Sequence, residues 1–222
     1  MPPAASFQRV ILRAVLREVS PMVIRVLAVP DDTELADLHE MFQALMGWDQ
    51  DLGYSFRIHG QEFNNFRRKP RSQPLRAFQF HRQEKFRYIA DTLHLWEWEI
   101  RVLDVDAGTP EDRQPRCLSG RGAAPPEGCG GPTGYRLMRK RQQAGAWVSD
   151  PALVELTVQR LAVACPEQPA RTWELLRTTV RDGWQSIDQR LQAAGPLHPD
   201  RFSLREANEH LATYFGRGRW ER

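Results

Sequence analysis

The apolar positions of this chain run first as two short β-branched stretches, then as a helical stripe, then as alternating aromatic segments. Phe7 to Leu16 is rich in Val, Ile and Leu, carries Arg9 and Arg13 with Arg17 just past its end, and reads as a strand. Ser20-Pro21 breaks it, and Val23 to Val29, apolar around Arg25, reads as a second strand. Pro30-Asp31-Asp32-Thr33 is a turn into a helix, where the side-chain oxygen of Asp32 or Thr33 is expected to accept from a first-turn amide. Leu35, Leu38, Phe42 and Leu45 then share one stripe, and the helix is expected to end at Met46 with Gly47 just past it.

From Tyr54 to Tyr88 short aromatic segments alternate with turns, which predicts hairpins. Trp96 to Asp104 alternates in part and predicts a strand. Pro115 to Tyr135 concentrates glycine, proline and two cysteines, and is expected to be one shaped loop in which Gly130-Gly131 supplies backbone angles closed to other residues. Arg136 to Gln143 suits a short helix or a solvated arm. Pro151 to Ala164 and Thr172 to Ala194 show helical spacing, and Ser203 with Glu206 has the spacing of a capping box opening a last helix through Leu204, Ala207, Leu211 and Phe215. The expectation is an α+β core over 1–148 followed by a helical C-terminal third over 149–222 that packs on it. Trp96, Trp98, Trp173 and Trp184 are assigned to the core.

Composition narrows the function classes. The formal net charge of +3 permits nucleic acid as a partner without demanding it. Three cysteines, an odd number, argue against a disulfide framework, and no apolar run reaches the roughly 20 residues of a membrane span. A cytoplasmic protein without membrane association is expected.

Several segments together resemble the plasmid pRiA open-reading-frame-three-like family, whose members include TnpR-type passenger proteins of insertion elements. Pro21 and Arg25 stand where the family has a Pro-Ile-Trp-Arg-like run, and Leu38-His39 with Gly47-Trp48 match its first helix. Tyr54-Ser55-Phe56 is similar to its Tyr-Glu-Phe. Cys117, Gly120, Pro125-Pro126-Glu127, Cys129-Gly130-Gly131 and Gly134-Tyr135 match its Cys…Pro-Pro-Glu-Asp-Cys-Gly-Gly…Gly-Tyr block. His198 to Leu211 is similar to its closing Phe-Asp-Leu-x-x-x-Asn. The chain departs at Ala90 to Trp98: Asp91 and Trp96 are kept, Leu93-His94 replaces Gly-Asp, and Trp98 replaces a histidine. Ala124 stands where many members have a cysteine. The resemblance implies an α+β roll, a mixed or antiparallel sheet packed by helices. It implies no reaction, and nothing here resembles a serine-recombinase active-site segment.

Three constellations could carry chemistry. Cys117 and Cys129 are two potential zinc ligands, but a closed tetrahedral site needs four, so they are read as small buried residues that anchor a loop. His39 lies beside the helical stripe with no recognisable nucleophile near it in sequence, and a histidine held by a strand or by Glu127 is the plainer reading. An alternative enzyme or metal site would unite His39, Glu127 and Cys129. The strongest charge feature is Asn65 to Tyr88, where Arg67, Arg68, Lys69, Arg71, Arg76, Arg82, Lys85 and Arg87 accompany Phe66, Phe78, Phe80, Phe86 and Tyr88. Basic groups neutralise phosphates and rings stack bases, so a basic hairpin here would suit nucleic acid. The expectation is a binding protein without catalytic activity, cofactor or metal, acting through this hairpin and the Gly/Pro loop. Its partner is a protein, or alternatively a nucleic acid.

Overall fold

The structure is a computed structural model that describes residues 7–49, 53–65, 73–90, 95–143, part of 170–182, and 197–215. The chain divides into two units, Met1–Tyr135 with His198–Arg222, and Arg136–Leu197. The first holds a seven-stranded sheet in which every pairing is antiparallel. Its strands are β1 (Gln8–Leu16), β2 (Ile24–Pro30), β3 (Tyr54–Ile58), β4 (Gln61–Asn64), β5 (Lys85–Ala90), β6 (Trp96–Ala107) and β7 (Arg116–Arg121), in the order β4-β3-β5-β6-β1-β2-β7. Among the described residues run the helices α1 (Leu35–Met46), α2 (Gly131–Gln143) and α3 (Leu204–Phe215), and residues 172–175 and 177–178 of the expected 172–194 helix are also helical.

Period-two alternation decides which side of the sheet is covered. Val10, Leu12, Ala14 and Leu16 of β1 are buried, as are Phe86, Tyr88 and Ala90 of β5 and Trp96, Trp98, Ile100 and Val102 of β6. The stripe of α1 completes this core: Phe42 stacks on Tyr88 at 5.1 Å and tilts against Trp98 at 5.3 Å. Fully burying side chains of this size stabilises by about 1.5–3 kcal/mol each. Helix α1 ends as expected, with Gly47 in the left-handed region at φ 65° and the Gly47 and Trp48 amides donating to the Ala44 and Gln43 carbonyls.

Its start differs from expectation. Glu34 is the N-cap and makes no side-chain cap; neither Asp32 nor Thr33 caps the helix. The Leu35 amide donates instead to the Gln73 carbonyl at 3.1 Å, and Leu75 and Arg76 donate back to Thr33 and Asp31. A backbone segment from far along the chain satisfies the helix end, so no local oxygen is needed.

Two further expectations are corrected. Among the described residues of 54–80 only β3 and β4 form a hairpin; the RAFQF segment begins inside a 3-10 helix (Leu75–Phe78) that follows Pro74 and closes at Gln79 with φ 49°. Phe78 and Phe80 therefore do not alternate across a strand but gather with Phe63 and Phe86 at ring separations of 5.1 to 5.4 Å. The Pro115–Tyr135 stretch is not one loop: β7 occupies its beginning, and α2 starts at Gly131, five residues before the expected Arg136. The last helix is where the sequence puts it. The Glu206 amide donates to Ser203 Oγ at 3.2 Å, while the Glu206 carboxylate lies 3.6 Å from Arg201, so the cap is made from the Ser203 side. The expected helix over Pro151–Ala164, Trp184, and the Phe215 side chain lie outside the described residues; Trp173 is half-buried.

Candidate functional site

The side of the sheet opposite the core carries exposed and half-exposed residues, and register sets basic ones directly beside each other. Lys85 of β5 faces Arg101 of β6, and Arg101 faces Arg13 of β1. One row back, Arg57 of β3 faces Arg87 of β5. Like charges opposed across strands destabilise a sheet by roughly 0.2–1 kcal/mol per pair. Glu97 and Glu99 offset part of this: Lys85 reaches Glu99 at 2.9 Å, Arg17 reaches it at 3.8 Å, and Arg87 reaches Glu97 at 3.4 Å. The Lys85 ammonium, donating to Glu99, holds that carboxyl below the usual carboxylate range. Arg13 and Arg57 form no ion pair among the described residues. Arg57, His59, Lys85, Arg87 and Glu99 rim a depression of about 490 Å³.

Aliphatic side chains continue this outer face. Ile11, Val15, Ile24 and Val26 are half-exposed on β1 and β2. The aromatic residues of the strands are all buried, namely Tyr54, Phe56, Phe63, Phe86, Tyr88, Trp96 and Trp98.

The described part of the expected basic hairpin is divided between a 3-10 helix, a turn and β5. Arg67, Arg68, Lys69 and Arg71 lie outside the described residues. Arg76 is exposed on the 3-10 helix. Arg82 is exposed in a turn, where its Nε donates to the Leu103 carbonyl. Arg87 sits on β5 among the outer-face residues. Of the rings meant for stacking bases, Phe66 lies outside the described residues and the others pack against neighbouring rings, with Tyr88 on Phe56 at 4.6 Å, Phe78 against Phe63 at 5.2 Å and Phe80 on Phe86 at 5.1 Å. Sequence reading did not single out Arg13, Arg57 and Arg101 as site residues, because they lie on three different strands far apart in the chain. The available signal was that all three occupy the non-core phase of the alternation.

The family-motif residues are structural anchors for α1 and the Gly/Pro segment. Trp48 Nε1 donates to the Pro125 carbonyl at 2.9 Å, and its ring lies 5.3 Å from that of Trp96. The Asp49 amide donates to Glu127 Oε1 at 3.0 Å. His39, 2% exposed, has Nδ1 2.7 Å from the Tyr88 hydroxyl and stacks on Tyr54 at 4.5 Å; the imidazole tautomer sets which group donates. His39 is held by strand residues, Glu127 accepts from the Asp49 amide, and the Cys129 thiol donates to the Gly131 carbonyl. Cys117 and Cys129 are free, buried thiols. Burial pushes the Cys129 thiol up to about 12 and raises that of Cys117, so neither is poised as a thiolate. Among the described residues no group of three His, Cys, Asp or Glu is arranged to hold a metal. Tyr135 is buried, Gly130 and Gly131 have φ of 84° and 73°, and Asp91 lies outside the described residues.

Arg25 is the most unusual of these residues. It is 2% exposed on the core side of β2, and its Nη1 donates to the carbonyls of Ile24, Arg121 and Gly122. Desolvation lowers its pKa to about 10, so it stays charged at neutral pH. Phe202 covers its guanidinium, and Asn208 clamps the neighbouring strand by pairing both ways with the Cys117 backbone at 2.9 and 3.0 Å. Phe202 and Asn208 are the Phe and Asn of the closing motif, which the sequence showed without a role.

An antiparallel sheet with helices on its core side and a charged outer face defines a two-layer α+β protein. No helix is long and apolar enough to cross a membrane among the described residues. The chain belongs to the plasmid pRiA4b ORF-3-like protein family, whose sequence model matches residues 8–151. It is 32% identical over 133 residues to the uncharacterised protein y4hQ of Sinorhizobium fredii (strain NBRC 101917 / NGR234), an alignment covering 56% of this chain and 68% of that protein. Its fold is similar to that of MM3350, a protein of unknown function from Methanosarcina mazei Go1, with a TM-score of 0.52 and 20% identity over 62% of this chain and 82% of the other.

Proposed function

We propose that this protein is a non-catalytic binding module whose outer sheet face docks an acidic protein partner. The observation that supports this is the cross-strand row Lys85–Arg101–Arg13, which puts like charges side by side. A fold free to choose would alternate signs there, and a negative partner turns the unfavourable row into a binding surface. The flanking aliphatics Ile11, Val15, Ile24 and Val26 favour a protein over a nucleic acid, because they offer apolar contact area where a stacking platform would need rings. Two free, buried thiols support work in a reducing cytoplasm. The resemblance to insertion-element passenger proteins supports a partner encoded by the same mobile element.

Binding of a labelled peptide alternating glutamate and leucine, in parallel with labelled single- and double-stranded DNA and RNA over a salt series, tests the reading. The peptide is expected to bind, and Arg13→Glu with Arg101→Glu to abolish binding while leaving the fold intact. Nucleic-acid binding with a steep salt dependence and no peptide binding would replace the protein partner by a nucleic acid. Binding to neither would remove the outer face as an interface.

A further inference from the structure

On the core side of the sheet, β2, the carboxyl end of α1, the Ala123-Ala124 segment and the amino end of α3 line an open pocket of about 220 Å³. Arg25 forms its buried floor. A guanidinium carries five N–H donors and cannot shed its charge near neutral pH. In Arg25 the described acceptors are all neutral carbonyls, and all of them bond Nη1. The Nε has no acceptor, and the nearest ionisable influence opposing its desolvation is the Cys117 thiol. No carboxylate pairs with Arg25 among the described residues. A buried cation with no counter-ion is costly, and native proteins normally pair it.

Beside apolar residues and the carboxyl end of α1, the lining holds further groups that suit negative charge. His198, Arg201 and His210 line it. Glu206 is the single acid in the lining, and its carboxylate is directed to Arg201 at 3.6 Å. Ser203 caps α3 there, so the positive end of a twelve-residue helix faces the same space. The Arg25 guanidinium carbon lies over the Phe202 ring, 4.6 Å from its centroid, and Nη2 makes none of the carbonyl bonds. The volume suits a compact group and excludes a polymer.

We propose that this cavity is a binding site for a small oxyanion, a carboxylate or phosphate group, with Arg25 as the counter-ion at its floor. The ligand accepts from the unused Arg25 donors, in the forked geometry that guanidinium groups use for such oxygens. His198 and His210 stand at the rim and Phe202 fixes the guanidinium plane. Arg25 belongs to the core phase of β2 and the Lys85–Arg101–Arg13 row to the outer phase, so this site is independent of the docking face proposed above.

The test is a titration of the full chain with inorganic phosphate and, separately, with succinate, each at ionic strength held constant with chloride. The readout is the imidazole proton resonances of His198 and His210, assigned with His198→Gln and His210→Gln. Saturable shifts with at least one of the two anions are expected, and which anion saturates tells the phosphate source from the carboxylate source. Arg25→Lys keeps the charge but loses the fork, and is expected to weaken binding by about tenfold or more, the equivalent of about 1.4 kcal/mol. Should Arg25→Lys fail to fold, Ala124→Leu fills the cavity from its rim and is expected to abolish saturation. Shifts that rise linearly with both anions, or saturation unchanged in the variant that folds, would overturn the proposal.

Discussion

The Phe202 ring sits over the Arg25 guanidinium in a space that Gly120 leaves vacant. Gly120 lies opposite Arg25 in the β2–β7 register, and a Cβ there would stand 2.5 Å from Phe202 Cζ. Gly120→Ala is therefore expected to destabilise by about 1–3 kcal/mol, the range for overpacking a filled site. Phe202→Leu alone loses ring burial and a cation–π contact worth roughly 0.5–2 kcal/mol. The double variant should cost less than the sum of the two, since the smaller side chain removes the clash. Denaturant melts of the four proteins give the coupling, and strict additivity would show that the ring is not seated on Gly120.

Gly134 is constrained more severely. A Cβ there would overlap the Cys129 carbonyl oxygen, which is backbone and cannot swing away. Gly134→Ala is expected to cost about 3 kcal/mol or more, at the upper end of overpacking. Gly131, with φ of 73°, is strained by any side chain, and Gly131→Val should cost about 1–3 kcal/mol. Thermal melts check both, and the order expected is Gly134→Ala below Gly131→Val below the native chain.

Asp112 couples stability to acid. The Thr109 amide and hydroxyl donate to it at 3.0 and 2.7 Å, Arg9 and Arg116 reach it at 3.3 and 3.0 Å, and together they hold its carboxyl down to about 2. Its ordinary value in an unfolded chain is about 3.9. The folded form therefore binds its proton less readily, and the stabilisation is complete above about pH 4 and lost as pH falls from there towards 2. Asp112→Asn should lower the melting temperature at pH 7 and flatten its fall between pH 4 and 2. A pH profile parallel to the native one would show that Asp112 contributes nothing to acid sensitivity.

Ser203 caps α3 through a single bond, its Oγ accepting from the Glu206 amide. Ser203→Ala should cost about 1 kcal/mol and Ser203→Gly less, the ordering of N-cap preferences. Ser203→Asp should keep most of the stability, which separates loss of the cap from loss of the hydroxyl itself. Chemical denaturation resolves differences of this size.

The local patterns were legible where a signal fits inside one element. The β-branched runs marked β1 and β2, the stripe from Leu35 to Leu45 with Gly47 marked α1 and its end, and Ser203 marked the start of α3. Each follows from a period of 2 or 3.6 or from a cap, which depend on near neighbours alone. The family blocks were legible too, and they located Arg25, Trp48, Phe202 and Asn208 without saying what those side chains touch.

Everything that depends on which strand lies beside which was settled by tertiary structure. The α1 start is satisfied by Gln73, whose backbone arrives from beyond β4, so Asp32 and Thr33 are released from the capping role their position suggested. Phe78 and Phe80 meet Phe63 and Phe86 because a 3-10 turn folds them inward, and a ring next to arginines in sequence says nothing about which way it faces. Arg13, Lys85 and Arg101 are far apart in the chain and become one row only through the β1–β6 and β5–β6 registers. Arg25 is a single charge in an apolar strand until β7 and α3 close over it, and its lack of a counter-ion is a property of that enclosure. Sequence determined the elements because their signals are short-range; the fold decided the surfaces because charge and burial act through space between residues that the chain keeps apart.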